Sequence, residues 1–128
     1  MVIDLIKEII ANIDNEALYI LSLITSAMII DFISGVLAAK INKKIVFTSR
    51  IGINGIIKKI ATLVLLVFFI PIAKLIPGGT GLGLLYTLYI GYLIMELQSI
   101  LENYKKMGIN TAIFSNFIEK FKNNRKEE

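Results

Sequence analysis

Three apolar stretches, each long enough to cross a bilayer, occupy most of this chain, and two carry a carboxylate well inside them. They run over residues 17–39, 60–76 and 82–101. A hydrocarbon core about 30 Å thick needs ~20 apolar residues in a helix, with a working range of about 17–25. The pattern therefore predicts an all-α integral membrane fold with three transmembrane helices. Asp31 lies deep in the first stretch and Glu96 in the third. A carboxylate near mid-bilayer costs about 2.5–3.5 kcal/mol even on the lenient insertion scale, so such groups face protein or water. A passive anchor has no use for them. The expectation is a small membrane protein that assembles, or that lines something wet.

Composition closes off other classes. Hydrophobic residues make up 55% of the 128 residues, the mean hydropathy is +0.72, and only 19% are charged, too few for the surface of a soluble domain. Three spans leave no room for a separate soluble catalytic domain, so a single domain is expected. The chain has no Cys, which excludes disulfides, thiolate metal sites and cysteine nucleophiles. It has no His either, the commonest general base and metal ligand. With no nucleophile to pair with Asp31 or Glu96, an enzyme is not expected, nor is a cofactor or metal. The net charge of +4 sits at span ends and in the tail, where topology explains it, so nucleic acid is not an expected partner. The first sixteen residues set Asp4, Glu8, Asp14 and Glu16 against Lys7, the reverse of a basic signal-peptide leader.

Along the chain, residues 1–16 are amphipathic. Val2, Ile6, Ile9 and Ile13 follow helical spacing, Ile3 and Ile10 widen the stripe, and Asp4, Lys7, Glu8 and Asn12 lie largely opposite. Such a segment lies flat among headgroups or simply leads into the first span. Within that span, Ala27, Asp31, Ser34, Gly35 and Ala38 recur at intervals of three and four and share one face. Small residues let helix backbones approach closely, so Ala27, Ser34, Gly35 and Ala38 are candidate packing residues.

Residues 40–59 form a basic connector with Lys40, Lys43, Lys44, Arg50, Lys58 and Lys59 and no acid, which the positive-inside rule assigns to the cytoplasm. Thr48, Ser49, Gly52, Asn54 and Gly55 predict a tight turn within it. Pro71 is expected to kink the second span or end it early, and Lys74 to reach its outer interface. The glycine-rich turn over 77–81 is so short that the second and third helices must be antiparallel neighbours. An acidic start, a basic first loop, an uncharged turn and a basic tail then predict N-out, C-in.

The third span carries Tyr89, Tyr92, Glu96 and Ser99, followed by Asn103, at spacings of 3, 4, 3 and 4. That is a polar stripe down one helix face. A plainer alternative puts the tyrosines at interfaces and Glu96 at a frayed end. Asp31 is nine residues from Lys40 and Glu96 nine from Lys105, so at 1.5 Å per residue both carboxylates lie ~13 Å from basic flanks and can share a layer. Asp31, Tyr89, Tyr92, Glu96 and Ser99 are accordingly the candidate lining. Residues 104–128 form the tail: Ile109, Ile113, Phe117 and Phe121 make a stripe with Phe114 and Ile118. Lys120, Lys122, Arg125 and Lys126 make the end basic, diluted by Glu119, Glu127 and Glu128. An amphipathic helix on the cytoplasmic face followed by a disordered end is expected.

Three segments carry a resemblance. They are Asp31-Phe-Ile-Ser-Gly-Val-Leu-Ala-Ala39, Ser49-Arg-Ile-Gly-Ile-Asn-Gly-Ile-Ile-Lys-Lys59, and Glu96-Leu-Gln-Ser-Ile-Leu-Glu-Asn103 with Gly108 beyond it. In order and spacing they resemble the lysis and toxin-secretion holin family of phages of low-GC Gram-positive bacteria and of clostridia, over about residues 28–110. The departures are Pro71 and Lys74 where relatives often carry an acid, and Ile-Asn-Thr-Ala after Gly108 where they often have a proline. The next Met after Met1 is Met28, so a dual-start scheme is not expected by that route.

The resemblance implies a homo-oligomer in the bacterial cytoplasmic membrane, in contact with lipid. It would open lesions through which an endolysin or a large toxin crosses. On that view Asp31 and Glu96 line the polar face, and Ser34, Gly35 and Ala38 form the seam. Ser49, Arg50, Gly52, Gly55, Lys58 and Lys59 set loop and orientation, and the basic residues pair with Glu102 beside Asn103. Two other readings share the same carboxylates: a small ion or proton channel or transporter subunit, and a holin antagonist.

Overall fold

In the computed structural model, residues 1–12 and 15–127 are described. Ile13 and Asp14 of the predicted N-terminal stripe, and Glu128 of the tail, lie outside the described residues. The described chain is all-helical: α1 (Val2–Asn12), α2 (Asn15–Ile41), α3 (Ser49–Lys74), α4 (Thr80–Lys106) and α5 (Ala112–Glu127), with a single 3-10 turn at Pro77–Gly79. Helices α2, α3 and α4 are each long and apolar enough to span a membrane. At 1.5 Å per residue, the 27 residues of α2 extend about 40 Å. Much of their surface is exposed large aliphatics, among them Ile29, Ile33, Ile57, Val64 and Leu84, as lipid-facing helices require.

Helix α3 departs most from expectation. It begins at Ser49, not at Ile60, so Ser49, Gly52, Asn54, Gly55, Lys58 and Lys59 are helical and not part of a loop. The cause is local. Thr48 is an N-cap in extended backbone, and its Oγ1 accepts from the Ile51 N–H at 3.2 Å, satisfying one orphan donor of the first turn. Gly52 is buried, because Phe47 folds back over it. A Cβ there would stand 3.0 Å from the Phe47 ring, which also meets Phe32 edge-on with centroids 6.4 Å apart. Pro71 does not end the helix, which runs on to Lys74. Proline lacks the N–H for the Val67 carbonyl, but the helix is within a turn of its end.

The α3–α4 hairpin closes through Gly78 and Gly79, both with φ near +75 to +79°, a left-handed conformation open to glycine. Just beyond, Gly81 lies against the backbone of Ala73, and a Cβ on Gly81 would collide with the Ala73 carbonyl. Glycine is the residue that permits this close antiparallel approach. At the opposite end α4 continues past the expected limit to Lys106, so Tyr104 belongs to it and not to the tail. Gly108, with φ +90°, reverses the chain, and the Ile109 N–H returns to the Tyr104 carbonyl at 3.1 Å.

The core runs along the α2–α4 interface, the most extensive in the molecule, with α3 packed mainly on α4. Ala17, Leu21, Ile24, Ala27 and Met28 of α2 meet Leu85, Tyr89, Leu93 and Ile100 of α4, and Leu66, Ile70 and Ala73 add the α3 side. Both terminal helices are amphipathic, as expected. Ile118 of α5 is buried, whereas Ile113, Phe114 and Phe117 are exposed. Leu5 and Glu8 of α1 line a small pocket with Ile70, Pro71 and Lys74, which places α1 at the hairpin end of α3.

Candidate functional site: an ionic layer inside the three spans

Asp31 on α2 and Glu96 on α4 are at one level, as the spacing predicts, and a cation from the third span lies between them. Lys59 Nζ donates to Asp31 Oδ2 at 2.9 Å and to Glu96 Oε2 and Oε1 at 3.1 and 3.2 Å. The side chains are 22% exposed for Lys59, 13% for Asp31 and 8% for Glu96. Burial this deep makes an unpaired ion costly, and one ammonium shared by two carboxylates joins all three spans.

Both carboxylates take further donors, and α4 supplies them. Ser99 Oγ donates to Asp31 Oδ1 at 2.8 Å, and Asn103 Nδ2 donates to the same oxygen at 2.8 Å. Tyr92 Oη donates to Glu96 Oε1 at 3.1 Å. Asn103 Nδ2 also reaches the Asp31 carbonyl at 3.0 Å and Ser34 Oγ at 3.0 Å, while Ser34 Oγ donates to that carbonyl at 3.1 Å. Tyr92, Glu96, Ser99 and Asn103 sit four, three and four residues apart, so a single face of α4 presents them all. Among the described residues, no buried side-chain nitrogen or oxygen lacks a partner.

The predicted residues therefore separate. Asp31, Tyr92, Glu96 and Ser99 come together, and Asn103 and Lys59 join them from the set expected to govern loop and orientation. Tyr89 stands apart: it is fully buried and donates to the Leu66 carbonyl of α3 at 2.7 Å, tying α3 to α4. Ala27, Ser34 and Ala38 are buried in the seam, and a Cβ on Gly35 would lie 3.6 Å from Asn103 Nδ2. Arg50 and Lys58 are exposed, and Glu102 pairs with Lys106 at 3.7 Å on the surface of α4, not with the connector. Gly55 has open space around its Cβ position.

Lys59 is the residue that spacing alone misplaced. With the span started at Ile60, Lys58 and Lys59 looked like a pair of interfacial lysines. The signal that identifies Lys59 is the demand of two intramembrane acids for a cation, together with a Thr48 cap that carries α3 far enough back to supply one.

Fold and site together define a small helical membrane protein whose three spans share an internal ionic layer. The bacteriophage holin family matches residues 8–123, and the chain belongs to that family. It is 30% identical to the antiholin of Bacillus phage phi29 over 118 residues, covering 90% of this chain and 88% of that protein. It is 34% identical to the antiholin of Bacillus phage B103 over 94 residues, 73% and 70% of the two chains. The antiholin of Bacillus phage PZA is 29% identical over 118 residues, again 90% and 88%. No solved structure matches the chain. Holins are non-enzymatic proteins of the host cytoplasmic membrane, and the three spans fit that setting.

Proposed function

We propose that this chain is a lysis-timing effector that self-associates in the host cytoplasmic membrane, N-out and C-in, and opens lesions for an endolysin. The observation that carries the reading is the layer of Asp31, Lys59 and Glu96 inside a holin-family bundle. In a dispersed protomer these charges satisfy one another, and the outer surface stays apolar and compatible with lipid. In an opened assembly the same face meets water, which solvates ions that lipid cannot. Membrane potential biases such a rearrangement by about 2.3 kcal/mol per charge moved across 100 mV. A large toxin is an equivalent cargo, since a lesion that passes a folded enzyme does not read its sequence.

The test is controlled expression in a bacterial host, with and without a cytoplasmic endolysin that has no export signal. Growth, membrane potential and endolysin release are followed together. The reading predicts abrupt arrest and depolarisation in both strains, with lysis confined to the strain that holds endolysin. Depolarisation without release would favour a small ion channel. A second reading, holin antagonist, is favoured by the antiholin names of the relatives. It predicts no lysis from this chain alone and a delay when it is co-expressed with a lytic holin.

A further inference from the structure

Helix α3 is held unevenly. From Leu66 outward it is packed: Leu66, Ile70 and Ala73 are buried, Tyr89 bonds to its backbone, and Gly81 closes the hairpin against Ala73. From Ser49 to Leu65, Gly52 is its one buried residue, covered by Phe47 from the connector preceding α3 and by the edge of Phe32 on α2. Here α3 stands off α2 across an apolar groove of about 270 Å³ between Met28, Ile29 and Phe32 on one side and Ile56 and Ile60 on the other, with Lys59 in its lining. Along this half of α3, Lys59 makes the ion pairs that reach across to α2 and α4, and Thr62 adds a side-chain hydrogen bond to Tyr92 of α4. The helix is a lever fixed at the hairpin and latched at Lys59.

When such a lever opens, neither half of the latch tolerates lipid. Lys59 leaves with α3, and two carboxylates stay on the α2–α4 face. The group complementary to that carboxylate pair is a lysine placed within an apolar helix, and a second copy of this chain carries one. We infer that the Asp31–Glu96 pair is a docking site for Lys59 of a second copy: neighbouring protomers exchange the inner half of α3, so the bridge that closes one protomer becomes the bond between two. The exchanged arm brings Ile56 and Ile60 into the groove beside Met28, Ile29 and Phe32, reproducing the native contacts in trans. The inference rests on the self-association proposed above and names the contact that carries it.

The chain has no Cys, so single cysteines report without background. Two differently tagged copies, one Ile29→Cys and the other Ile56→Cys, are co-expressed. Membranes are taken before and after the onset of arrest and treated with a short bismaleimide. Exchange predicts cross-links between copies that rise at least fivefold at onset and disappear when Lys59→Met is added to the Ile56→Cys copy. No rise in cross-links between copies at onset, or cross-links between copies indifferent to Lys59→Met, would overturn it. Complementation gives a second reading. A Lys59→Met copy and an Asp31→Asn/Glu96→Gln copy should each lose assembly, and together regain it, because one supplies the carboxylates and the other the lysine. Two variants that each assemble normally, or a pair that stays inactive although both reach the membrane, would also overturn it. If the wild-type chain released no endolysin the functional reading would fail, whereas the cross-links would still decide the exchange.

Discussion

Replacing Lys59 by Met removes the ammonium while keeping an unbranched chain of similar length. Two carboxylates, 13% and 8% exposed, are then left facing one another with Ser99, Asn103 and Tyr92 as their remaining donors. Removing one partner of a buried pair costs about 3–5 kcal/mol. Lys59 keeps some contact with solvent, so the expected loss is roughly 2–3 kcal/mol after discounting for screening. The contrast is the neutral variant Asp31→Asn/Lys59→Met/Glu96→Gln. It has no unpaired ion, and neutral replacement of a buried ionic cluster is often close to neutral for stability. Reversible unfolding in mixed micelles, followed by helical circular dichroism, reads both. A large loss is expected for Lys59→Met, with recovery of most of it in the neutral variant. Lys59→Met within about 0.5 kcal/mol of wild type, a typical surface change, would refute the reasoning.

Four other variants probe the frame around the layer. Tyr89→Phe deletes the buried bond to the Leu66 carbonyl and should cost about 0.5–1.5 kcal/mol in the same unfolding assay. Gly81→Val forces a branched side chain against the Ala73 carbonyl, and a loss of about 1–3 kcal/mol or more is expected, with weaker α3–α4 proximity in a fluorescence-transfer measurement across the hairpin. Asn103→Leu strips a donor from both Asp31 and Ser34 and should cost about 1–3 kcal/mol, whereas Glu102→Gln, at an exposed pair, should change stability by less than ~0.5 kcal/mol.

The parts of this molecule legible in its sequence are those where one physical demand dominates. Bilayer thickness makes three spans visible, and helical spacing puts Tyr92, Glu96, Ser99 and Asn103 on one face of α4. Equal distances from basic flanks bring Asp31 and Glu96 to one level. The start of α3 was hidden because Ser49, Gly52, Asn54 and Gly55 are turn formers on average, yet the Thr48 cap and the Phe47 ring over Gly52 make a helix of them here. That single shift turned Lys59 from an interfacial residue into the centre of the site. Pro71 looked like a break, but sits too near the end of α3 to be one. Tyr89 belonged to the polar stripe by spacing, and its hydroxyl instead found a backbone carbonyl on α3, a partner that no residue pattern announces.

One ammonium, that of Lys59, joins all three candidate spans. Solid-state NMR of the protein in lipid bilayers, with 15N-labelled lysine and 13C-labelled aspartate and glutamate, measures the dipolar coupling between lysine Nζ and the carboxyl carbons. Strong simultaneous dephasing of one aspartate and one glutamate carboxyl by a single lysine nitrogen is expected, with both signals abolished in Lys59→Met. Dephasing of only one of the two carboxyls, or of neither, would mean that the three helices do not meet at this layer.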